Sequence, residues 1–236
     1  MSARAQLLIV NPGSTSTRVA LFQETELITS ITITHPTSEI QQLTGIDAQY
    51  QYRLRQIEAF LKQTGMPLLA AVVGRGGLLS PVPSGTYLVD DKMLYDLQQG
   101  VYGQHASNLG GILARGLADP RQIPAYVVDP VSVDEFVPEA RLSGLPQVAR
   151  RSLGHALNMR AVAQYLASKQ GRLLAEVNYI VAHLGGGISI APIAGGRILD
   201  CNDANQAGPF SAERAGSLPA GEIIRLSYSG KYTLAQ

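Results

Sequence analysis

One pattern constrains the fold of this chain more than any other: an apolar run, a glycine-containing turn and a second apolar run, which occur together twice. The first copy covers residues 7–22, where LLIVN leads into PGSTSTR and then VALF. The second covers residues 178–191, where NYIVAHL leads into GGG and then ISIA. Each copy reads as strand, tight turn and strand. The repeat therefore predicts a duplicated architecture of two lobes.

The first turn is rich in groups that can hold a phosphate. Gly13 allows the backbone to come close to a ligand, and Arg18 can neutralise a polyanion. Hydroxyl and amide donors come from Ser14, Thr15, Ser16 and Thr17. Taken alone, the turn is equally compatible with an ordinary Gly-Ser hairpin. Two such turns, one in each lobe, instead predict a nucleotide held in the cleft between the lobes.

The remaining periodicities of the first half predict an α/β fold. Residues 27–34 alternate as a third strand, and residues 46–64 have helical spacing before a Gly and a Pro. The short apolar runs at 68–73 and 125–128 are typical of buried parallel strands. The predicted order is β-β-β-α-β-α-β, with a Pro- and Gly-rich loop at residues 80–87.

Residues 131–146 are predicted to cross between the lobes, which places the lobes at 1–145 and 146–236. The second lobe is predicted to begin with a helix from Gln147 to about Lys169. The second copy of the strand pattern follows, then a third strand from Arg197 to Cys201 and a helix start near Ala220 to Leu226.

Two charged residues stand where buried strands end. Arg75 lies between glycines after the run LLAAVV, and Asp129 follows AYVV. In open α/β sheets, ligands bind at the carboxyl ends of the strands, so both are site candidates. The alternatives are a structural arginine paired with a carboxylate and a turn residue before Pro130.

Composition narrows the class of ligand. The chain has 236 residues, 45% of them hydrophobic, and a formal net charge of +1. So little charge gives no general attraction to nucleic acid or anionic membrane, which favours a small anionic ligand. No apolar run approaches the ~20 residues of a spanning helix. The single Cys201 and an N-terminus that leads directly from Met1 into a strand predict a cytoplasmic protein.

Five long stretches, in order, resemble the acetate and butyrate kinase family, and its butyrate kinase branch most. This family is part of the superfamily of sugar kinases, heat-shock chaperone ATPases and actin. The stretches are VNPGSTSTRVALF, VVGRGGLLSPVPSGTYLVDDKM, GQHASNLGG, VVDPVSVDEF and VAHLGGGISIAPIAGGRILDCNDANQAGPFSAERAGSLP. They span nearly the whole chain, so chance similarity is a poor explanation.

The resemblance implies a ribonuclease H-like, actin and acetate-kinase type of fold. It also implies phosphoryl transfer between ATP and a short fatty acid, with butanoate and ATP giving butanoyl phosphate and ADP, and with Mg²⁺ as the metal. Both substrates are anions, and charge gathers on the equatorial oxygens of the transferred group, so positioning and electrostatic clamping dominate catalysis.

The resemblance also implies roles for individual residues. Arg75 matches a substrate-binding arginine, and Asp129 matches an active-site aspartate that would order Mg²⁺, its water and the phosphate. His155 and Arg214 match transition-state donors, although His155 alone would read as a satisfied helix histidine and Arg214 as a surface ion pair with Glu213. The implied catalytic residues are Arg75, Asp129, His155 and Arg214, and the implied metal-side residues are Asn11 and Asp129.

The nucleotide phosphates are expected at the two turns. The implied phosphate-binding residues are Asn11, Gly13, Ser14, Thr15, Ser16, Arg18, His183, Gly185, Gly186 and Gly187. Arg18 stands where the family has a lysine, and Gly186 stands where acetate kinases have an asparagine. His105, Asn108 and the apolar residues near Val82 and Pro83 are predicted to border the acyl pocket.

Members of the family continue well beyond the point where this chain stops, so we expect a C-terminally truncated chain whose second lobe is incomplete. Such a chain is expected to bind nucleotide poorly and to expose a strand edge. The alternatives are an inactive or split fragment that serves as a binding or regulatory subunit, with a complementary chain supplying the rest, and a kinase of a branched-chain or other short carboxylic acid. The family also suggests a homo-oligomer.

Overall fold

The computed structural model describes residues 5–233, so the predictions that concern the first four and last three residues lie outside the described part. The chain divides into two compact units, one up to Ser132 and one from Val133. This boundary comes before the predicted one at 145/146. The physical reason is that Val133, Phe136 and Ala140 pack in the core of the second unit, so this segment is not a free crossing.

The first unit contains a six-stranded sheet in the order β3-β2-β1-β4-β6-β5. The opening strands form the predicted antiparallel meander, and the central strands β1, β4 and β6 are parallel, as the unbroken apolar runs of β4 and β6 indicated. The strands are β1 (Gln6–Pro12), β2 (Ser16–Gln23), β3 (Glu26–Thr34), β4 (Leu69–Arg75), β5 (Thr86–Leu88) and β6 (Ala125–Val128).

β5 was predicted as loop. Its three residues pair antiparallel with β6 at the sheet edge, and its outer two are exposed, so it has neither an apolar run nor a buried face that periodicity could detect. The helices of this unit are α1 (Thr37–Ile40), α2 (Gly45–Gln63), α3 (Asp91–Gln99) and α4 (Asn108–Ala118), and a 3-10 turn covers Asp119–Arg121.

α4 is the helix that packs most closely against the sheet. A Cβ on Gly110 would lie 1.8 Å from the Arg75 carbonyl oxygen, and one on Gly74 would lie 2.1 Å from the Gly110 oxygen. Only glycine at both positions permits this approach. The contact fixes the backbone of Arg75, at the end of β4, against the start of α4.

Up to residue 233, the second unit contains the antiparallel sheet β7-β8-β9 and two helices. Met159, Ala163 and Ala167 of the first helix pack against Ala191 and Ile193 of the sheet. The elements are α5 (Ala156–Lys169), β7 (Asn178–Leu184), β8 (Ile188–Ala194), β9 (Arg197–Ile198) and α6 (Ala220–Ser227), with 3-10 turns at Pro138–Arg141 and Leu174–Glu176.

The prediction of a helix from Gln147 was wrong: α5 begins at Ala156, and residues 147–155 are irregular. Tertiary contacts hold this segment. The Arg150 guanidinium donates to both Asp200 carboxylate oxygens (3.2 and 2.7 Å) and to two carbonyl oxygens, and the Ser152 hydroxyl donates to the Val133 oxygen (2.6 Å). These bonds outweigh the intrinsic helix propensity of the segment.

Between residues 5 and 233, no helix is both long enough and apolar enough to span a bilayer.

Candidate active site

The first turn connects β1 to β2 and is closed by its own backbone. The Gly13 amide donates to the Ser16 carbonyl oxygen (2.7 Å). Asn11 and Arg18 stand directly opposite each other on the two strands, and both are exposed. Their partners in the neighbouring register, Val10 and Val19, are fully buried, so Asn11 and Arg18 share the other face of the sheet.

A buried arginine that the sequence did not reveal braces this turn. Arg53 of α2 is fully buried, and its guanidinium donates to the carbonyl oxygens of Ser16 (3.1 Å) and Ser14 (3.3 Å) and to the Thr17 hydroxyl (2.7 Å). Arg53 lies in the apolar stripe of α2, with Ile57 and Phe60. That position was the available signal, because a charged residue in a buried stripe needs polar partners.

Thr17 was predicted as one of the ligand donors, but it is fully buried beneath the turn. Its hydroxyl accepts from Arg53 and lies 2.8 Å from His35 Nε2, which is also buried. Burial, and secondarily the Arg53 charge, lowers the pKa of His35 to about 4. Thr17 therefore holds the turn in place, and Ser14, Thr15 and Ser16 are the hydroxyl residues left nearer the surface.

Arg75 ends β4 on the same face as Asn11 and Arg18. The last registered pair of β1 and β4 is Val10 with Gly74, so the next residue of each strand, Asn11 and Arg75, point to the face opposite Val10. Burial lowers the pKa of the Arg75 guanidinium. In the described part of the chain its side chain has no carboxylate partner, which disfavours the structural ion pair considered above.

Asp129 follows β6 in a left-handed backbone conformation, with φ of 39°. Gly85 holds it there: the Gly85 amide donates to Asp129 Oδ1 (2.8 Å), and the Asp129 amide donates to the Gly85 oxygen (2.9 Å). A non-glycine residue in this region is strained unless its surroundings fix it, and such residues cluster at functional sites.

Asn11 and Asp129, the two residues predicted on the metal side, would give a metal ion few protein ligands. Within residues 5–233 no three His, Cys, Asp or Glu residues cluster in a way that holds an ion. Magnesium fits a sparse site of oxygen donors, since it keeps several waters and binds through one or two carboxylates together with substrate phosphates. One amide oxygen and one carboxylate suit that chemistry and would not suit a dedicated protein cage.

The second turn, residues 185–187, connects β7 to β8 and is covered by the segment 211–214. The Ser211 hydroxyl donates to the Gly186 oxygen (2.6 Å). A Cβ on Gly186 would lie 2.6 Å from a carboxylate oxygen of Glu213. The Glu213 carboxylate therefore lies where a side chain at position 186 would begin.

His155, His183 and Arg214 meet at this turn. The rings of His155 and His183 are stacked, with centroids 3.8 Å apart and planes at 7°. A Cβ on Gly187 would lie 2.2 Å from Arg214 Nη1 and 3.2 Å from His155 Cε1. Arg214 also donates to the Ala204 oxygen (2.7 Å), and the ion pair with Glu213 considered above is not formed between these described residues.

The structure thus groups the predicted residues by unit. In the first, Asn11, Arg18, Arg75 and Asp129 lie at the carboxyl ends of the parallel strands. In the second, His155, His183, Gly187 and Arg214 are in contact or near contact.

The residues expected around the acyl chain differ in kind. Asn108 is fully buried and holds the chain: its Oδ1 accepts from the Leu78 amide (2.8 Å), and its Nδ2 donates to the Gly103 oxygen (2.9 Å). His105 instead lines a cavity of about 320 Å³ together with Gln49, Leu97 and Gln104.

Comparison with known proteins shows which family the chain resembles. The chain is 50% identical over 233 residues to a probable butyrate kinase 2 of Caldanaerobacter subterraneus, which covers 98% of this chain and 66% of that protein. It is 47% and 46% identical to butyrate kinases 2 and 1 of Clostridium acetobutylicum, over 97% of this chain and 65% of each relative.

The chain belongs to the butyrate kinase family. The family predicted from the five stretches is thereby confirmed. The chain spans about two thirds of the length of these relatives. No family model matches the chain.

Solved structures of related kinases have the same fold. The Porphyromonas gingivalis acetate kinase superposes with a TM-score of 0.71 at 16% identity, covering 98% of this chain and 66% of that one. A propionate kinase from Francisella tularensis gives 0.71 at 14% identity, with the same coverage. At such identities the likeness concerns the fold alone, and it confirms the predicted acetate-kinase type of fold.

Proposed function

We propose that this member of the butyrate kinase family transfers the γ-phosphoryl group of ATP to butanoate, giving butanoyl phosphate and ADP. The observation that carries the proposal is 45–50% identity to proteins named butyrate kinase or probable butyrate kinase, over almost the whole chain. In the transfer, a carboxylate oxygen forms a bond to the γ-phosphorus while the bond from that phosphorus to the β–γ bridging oxygen breaks. ADP leaves with the electron pair of the broken bond.

In this proposal Arg75 holds the carboxylate or the transferring phosphoryl group. Its half-buried guanidinium has a planar set of donors and no protein carboxylate to satisfy it among the described residues. The acceptor carboxylate is already ionised at neutral pH and needs no general base. Arg75 therefore acts by position and charge.

Asn11 and Asp129 are proposed as the residues on the metal side. Their oxygens would hold Mg²⁺ and its waters near the phosphates, and Mg²⁺ would supply neutralisation of the developing charge. The Gly85 amide donates to Asp129 Oδ1, and the Asp129 backbone amide donates to the Gly85 oxygen, so the carboxylate is oriented before any ligand arrives. Arg18, opposite Asn11, is proposed to contact a nucleotide phosphate.

His155 and Arg214 are proposed as the donors to the equatorial oxygens of the transferred group. They converge at Gly187, where the absence of a side chain leaves the turn backbone within reach of both. Preorganised donors of this kind are worth about 10²–10³ in rate each. The two glycine turns, at 13–16 and 185–187, are proposed to hold ATP or ADP.

The reaction is proposed to take place in the cytoplasm. ATP is a cytoplasmic substrate, and the single cysteine, Cys201, is a buried free thiol, both of which support a cytoplasmic location. Two partners are also proposed. One is a second copy of this chain, and the other is a complementary chain that carries the part of the relatives that this chain does not span.

The test is formation of acyl hydroxamate from ATP, Mg²⁺ and hydroxylamine with butanoate, acetate, propanoate or 2-methylpropanoate as acceptor. We expect the highest rate with butanoate and a loss of at least about 100-fold in Arg75→Gln. Arg55→Gln, an exposed arginine of the same unit, is the matched control and should retain full rate.

Preference for 2-methylpropanoate would assign a branched-chain acid instead. The proposal is contradicted if no acyl phosphate forms from any of these acids, with the chain alone or mixed with a polypeptide carrying the last third of a C. acetobutylicum butyrate kinase.

A further inference from the structure

Arg53 is a fully buried cation directly beneath the first turn. In the described part of the chain it forms no ion pair with a carboxylate. The Glu39 carboxylate, which acts on the neighbouring His35, accepts from the Tyr52 hydroxyl (2.7 Å). A buried charge is costly unless other groups satisfy it. Three of the four hydrogen bonds that the Arg53 guanidinium donates go to residues 14–17.

The carbonyl oxygens of three consecutive turn residues all accept from donors of the protein. The Arg53 guanidinium donates to the oxygens of Ser14 (3.3 Å) and Ser16 (3.1 Å). The Thr15 oxygen accepts from the His35 amide (2.8 Å). Carbonyl oxygens carry partial negative charge and repel an anion. These bonds therefore direct the repulsive groups of the turn to protein donors.

The peptide group between Ser14 and Thr15 shows what this orientation leaves at the surface. In a trans peptide, the carbonyl of one residue and the amide of the next point in opposite directions, and the described chain has no cis peptide bond. Because the Ser14 oxygen points to Arg53, the Thr15 amide hydrogen points away from Arg53. Both residues are exposed, and among residues 5–233 the Thr15 amide has no acceptor. The Thr15 amide is thus a donor available to a ligand.

The two buried basic groups beneath the turn differ in charge at neutral pH. Burial lowers the pKa of the Arg53 guanidinium, but a guanidinium stays protonated at neutral pH. Burial, and secondarily the Arg53 charge, lowers the pKa of His35 to about 4, so this ring is neutral. Arg53 therefore supplies a fixed positive charge on the inner side of the turn, which attracts an anion bound on the outer side.

We propose that Arg53 is the positioning residue of the first turn. Its guanidinium holds the carbonyl groups of Ser14 and Ser16 inward, which presents the Thr15 amide to a bound phosphate, and its charge attracts that phosphate from beneath. Arg53 does not touch the phosphate, so it acts through the turn backbone. This inference deepens the proposed function, on which it rests for the phosphate at this turn.

Tripolyphosphate, the phosphate chain of ATP without a nucleoside, is the probe for this role. The wild-type protein gives the first test, by NMR titration of the ¹⁵N-labelled chain. We expect the amide signal of Thr15 and the guanidinium signals of Arg53 to shift with the same midpoint concentration. A Thr15 signal that does not move, or one that moves while the Arg53 signals stay fixed, would overturn the proposal. This test needs no variant to fold.

Two substitutions separate the charge of Arg53 from its planar set of donors. Arg53→Lys keeps a positive charge but replaces the planar donors with one ammonium group, whereas Arg53→Met removes both the charge and the donors. We expect tripolyphosphate to bind about fivefold more weakly to Arg53→Lys and about fiftyfold more weakly to Arg53→Met. Wild-type affinity in both variants would overturn the proposal.

Arg55→Met is the matched control, because it removes a cation from an exposed position of the same helix. It should bind tripolyphosphate within about twofold of wild type, since solvent screens an exposed charge. A role of Arg53 in stability alone would shift the unfolding curve and leave the affinity of the folded protein unchanged. Binding is therefore measured where the amide spectrum of β4 and β6 shows a folded first unit. If Arg53→Met does not fold, Arg53→Lys and the wild-type titration decide.

Acyl phosphate formation is measured separately, which distinguishes the two proposals. A chain that makes no acyl phosphate but binds tripolyphosphate in an Arg53-dependent way refutes the kinase and keeps the positioning role. An active kinase whose tripolyphosphate affinity is the same in wild type and in both Arg53 variants refutes the positioning role alone.

Discussion

β1 of the first unit and β7 of the second begin from the same sequence pattern but have different surroundings. β1 pairs with β2 on one side and β4 on the other. Among the described residues β7 pairs only with β8. Leu8 and Ile180 stand at the same distance before Gly13 and Gly185, yet Leu8 is fully buried and Ile180 is 82% exposed. A shared strand–turn–strand pattern thus fixes the turn without fixing what covers the strand.

The two turns also differ in what holds them. A buried arginine from a helix, Arg53, fastens the carbonyl groups of the first turn. The second is held by Ser211 from a later segment and lies against His155 and Arg214. The first brace leaves the turn surface open, whereas the second places charged and proton-binding groups at the turn itself.

Of the changes that distinguish the two turns, loss of the Arg53 guanidinium should have the largest effect on stability. Arg53→Met keeps the aliphatic stem but removes the guanidinium that donates to the Thr17 hydroxyl and to the carbonyl oxygens of Ser14 and Ser16. We expect a loss of about 4 kcal/mol in the free energy of unfolding of the first unit. The exposed Arg55→Met should change it by less than about 0.5 kcal/mol. Urea dependence of amide exchange in β1 and β2 measures both, and equal effects would refute the brace.

Truncating the equivalent strand residues tests the difference in burial. Leu8→Ala should destabilise the first unit by about 3 kcal/mol, since it leaves a cavity in a packed core. Ile180→Ala should change the second unit by less than about 0.5 kcal/mol. Amide exchange of each sheet against urea gives the two values. A large loss for Ile180→Ala would mean that β7 is covered in solution, for example by a second copy or a complementary chain.

Low pH should lower the free energy of unfolding of the first unit, because His35 is protonated on unfolding. Its pKa is about 4 in the folded unit and 6.5 as the ordinary value, so between these limits the unfolded chain binds more protons. The free energy of unfolding should therefore fall as pH drops from 6.5 to 4, by up to about 3 kcal/mol, and should show no such change above 6.5.

Amide exchange of β1 to β3 at several pH values measures this slope. His35→Gln should flatten it, because glutamine does not titrate. A slope that persists unchanged in the variant would assign the acid sensitivity to other groups.

The smallest effects should come from the turn glycines, and they should differ between the turns. A Cβ on Gly13 would meet its nearest atom at 3.5 Å, whereas one on Gly187 would meet Arg214 Nη1 at 2.2 Å. Gly187→Ala should displace Arg214 and weaken phosphate binding about tenfold, or about 1.4 kcal/mol. Gly13→Ala should leave the free energy of unfolding within about 0.5 kcal/mol of wild type. Phosphate titration and urea unfolding of both variants measure these effects. A larger loss of phosphate binding in Gly13→Ala than in Gly187→Ala would contradict the prediction.

Sequence patterns predicted those elements of the fold that depend on residues close together in the chain. The meander, the parallel strands β4 and β6, helix α2 and the turns at 13–16 and 185–187 follow from periodicity and glycine placement, and the structure contains them. The start of α5 and the edge strand β5 were missed because partners distant in sequence decide them, as Asp200 does for Arg150.

The candidate site divides in the same way. Residues at strand ends, such as Arg75 and Asp129, were found from their position after apolar runs. Arg53 and His35 were not found, because nothing local shows that they meet beneath the first turn. The contact between His155 and His183 likewise joins residues from separate elements, which only the folded chain brings together.

Both glycine turns, for all their different surroundings, are proposed to bind phosphate groups of a nucleotide. The direct test is an NMR titration of the ¹⁵N-labelled protein with ATP and Mg²⁺, following the backbone amides of the two turns. We expect the amides of Gly13 and those of Gly185 to Gly187 to shift as ATP and Mg²⁺ are added. Shifts confined to one turn, or in neither turn, would contradict the proposal.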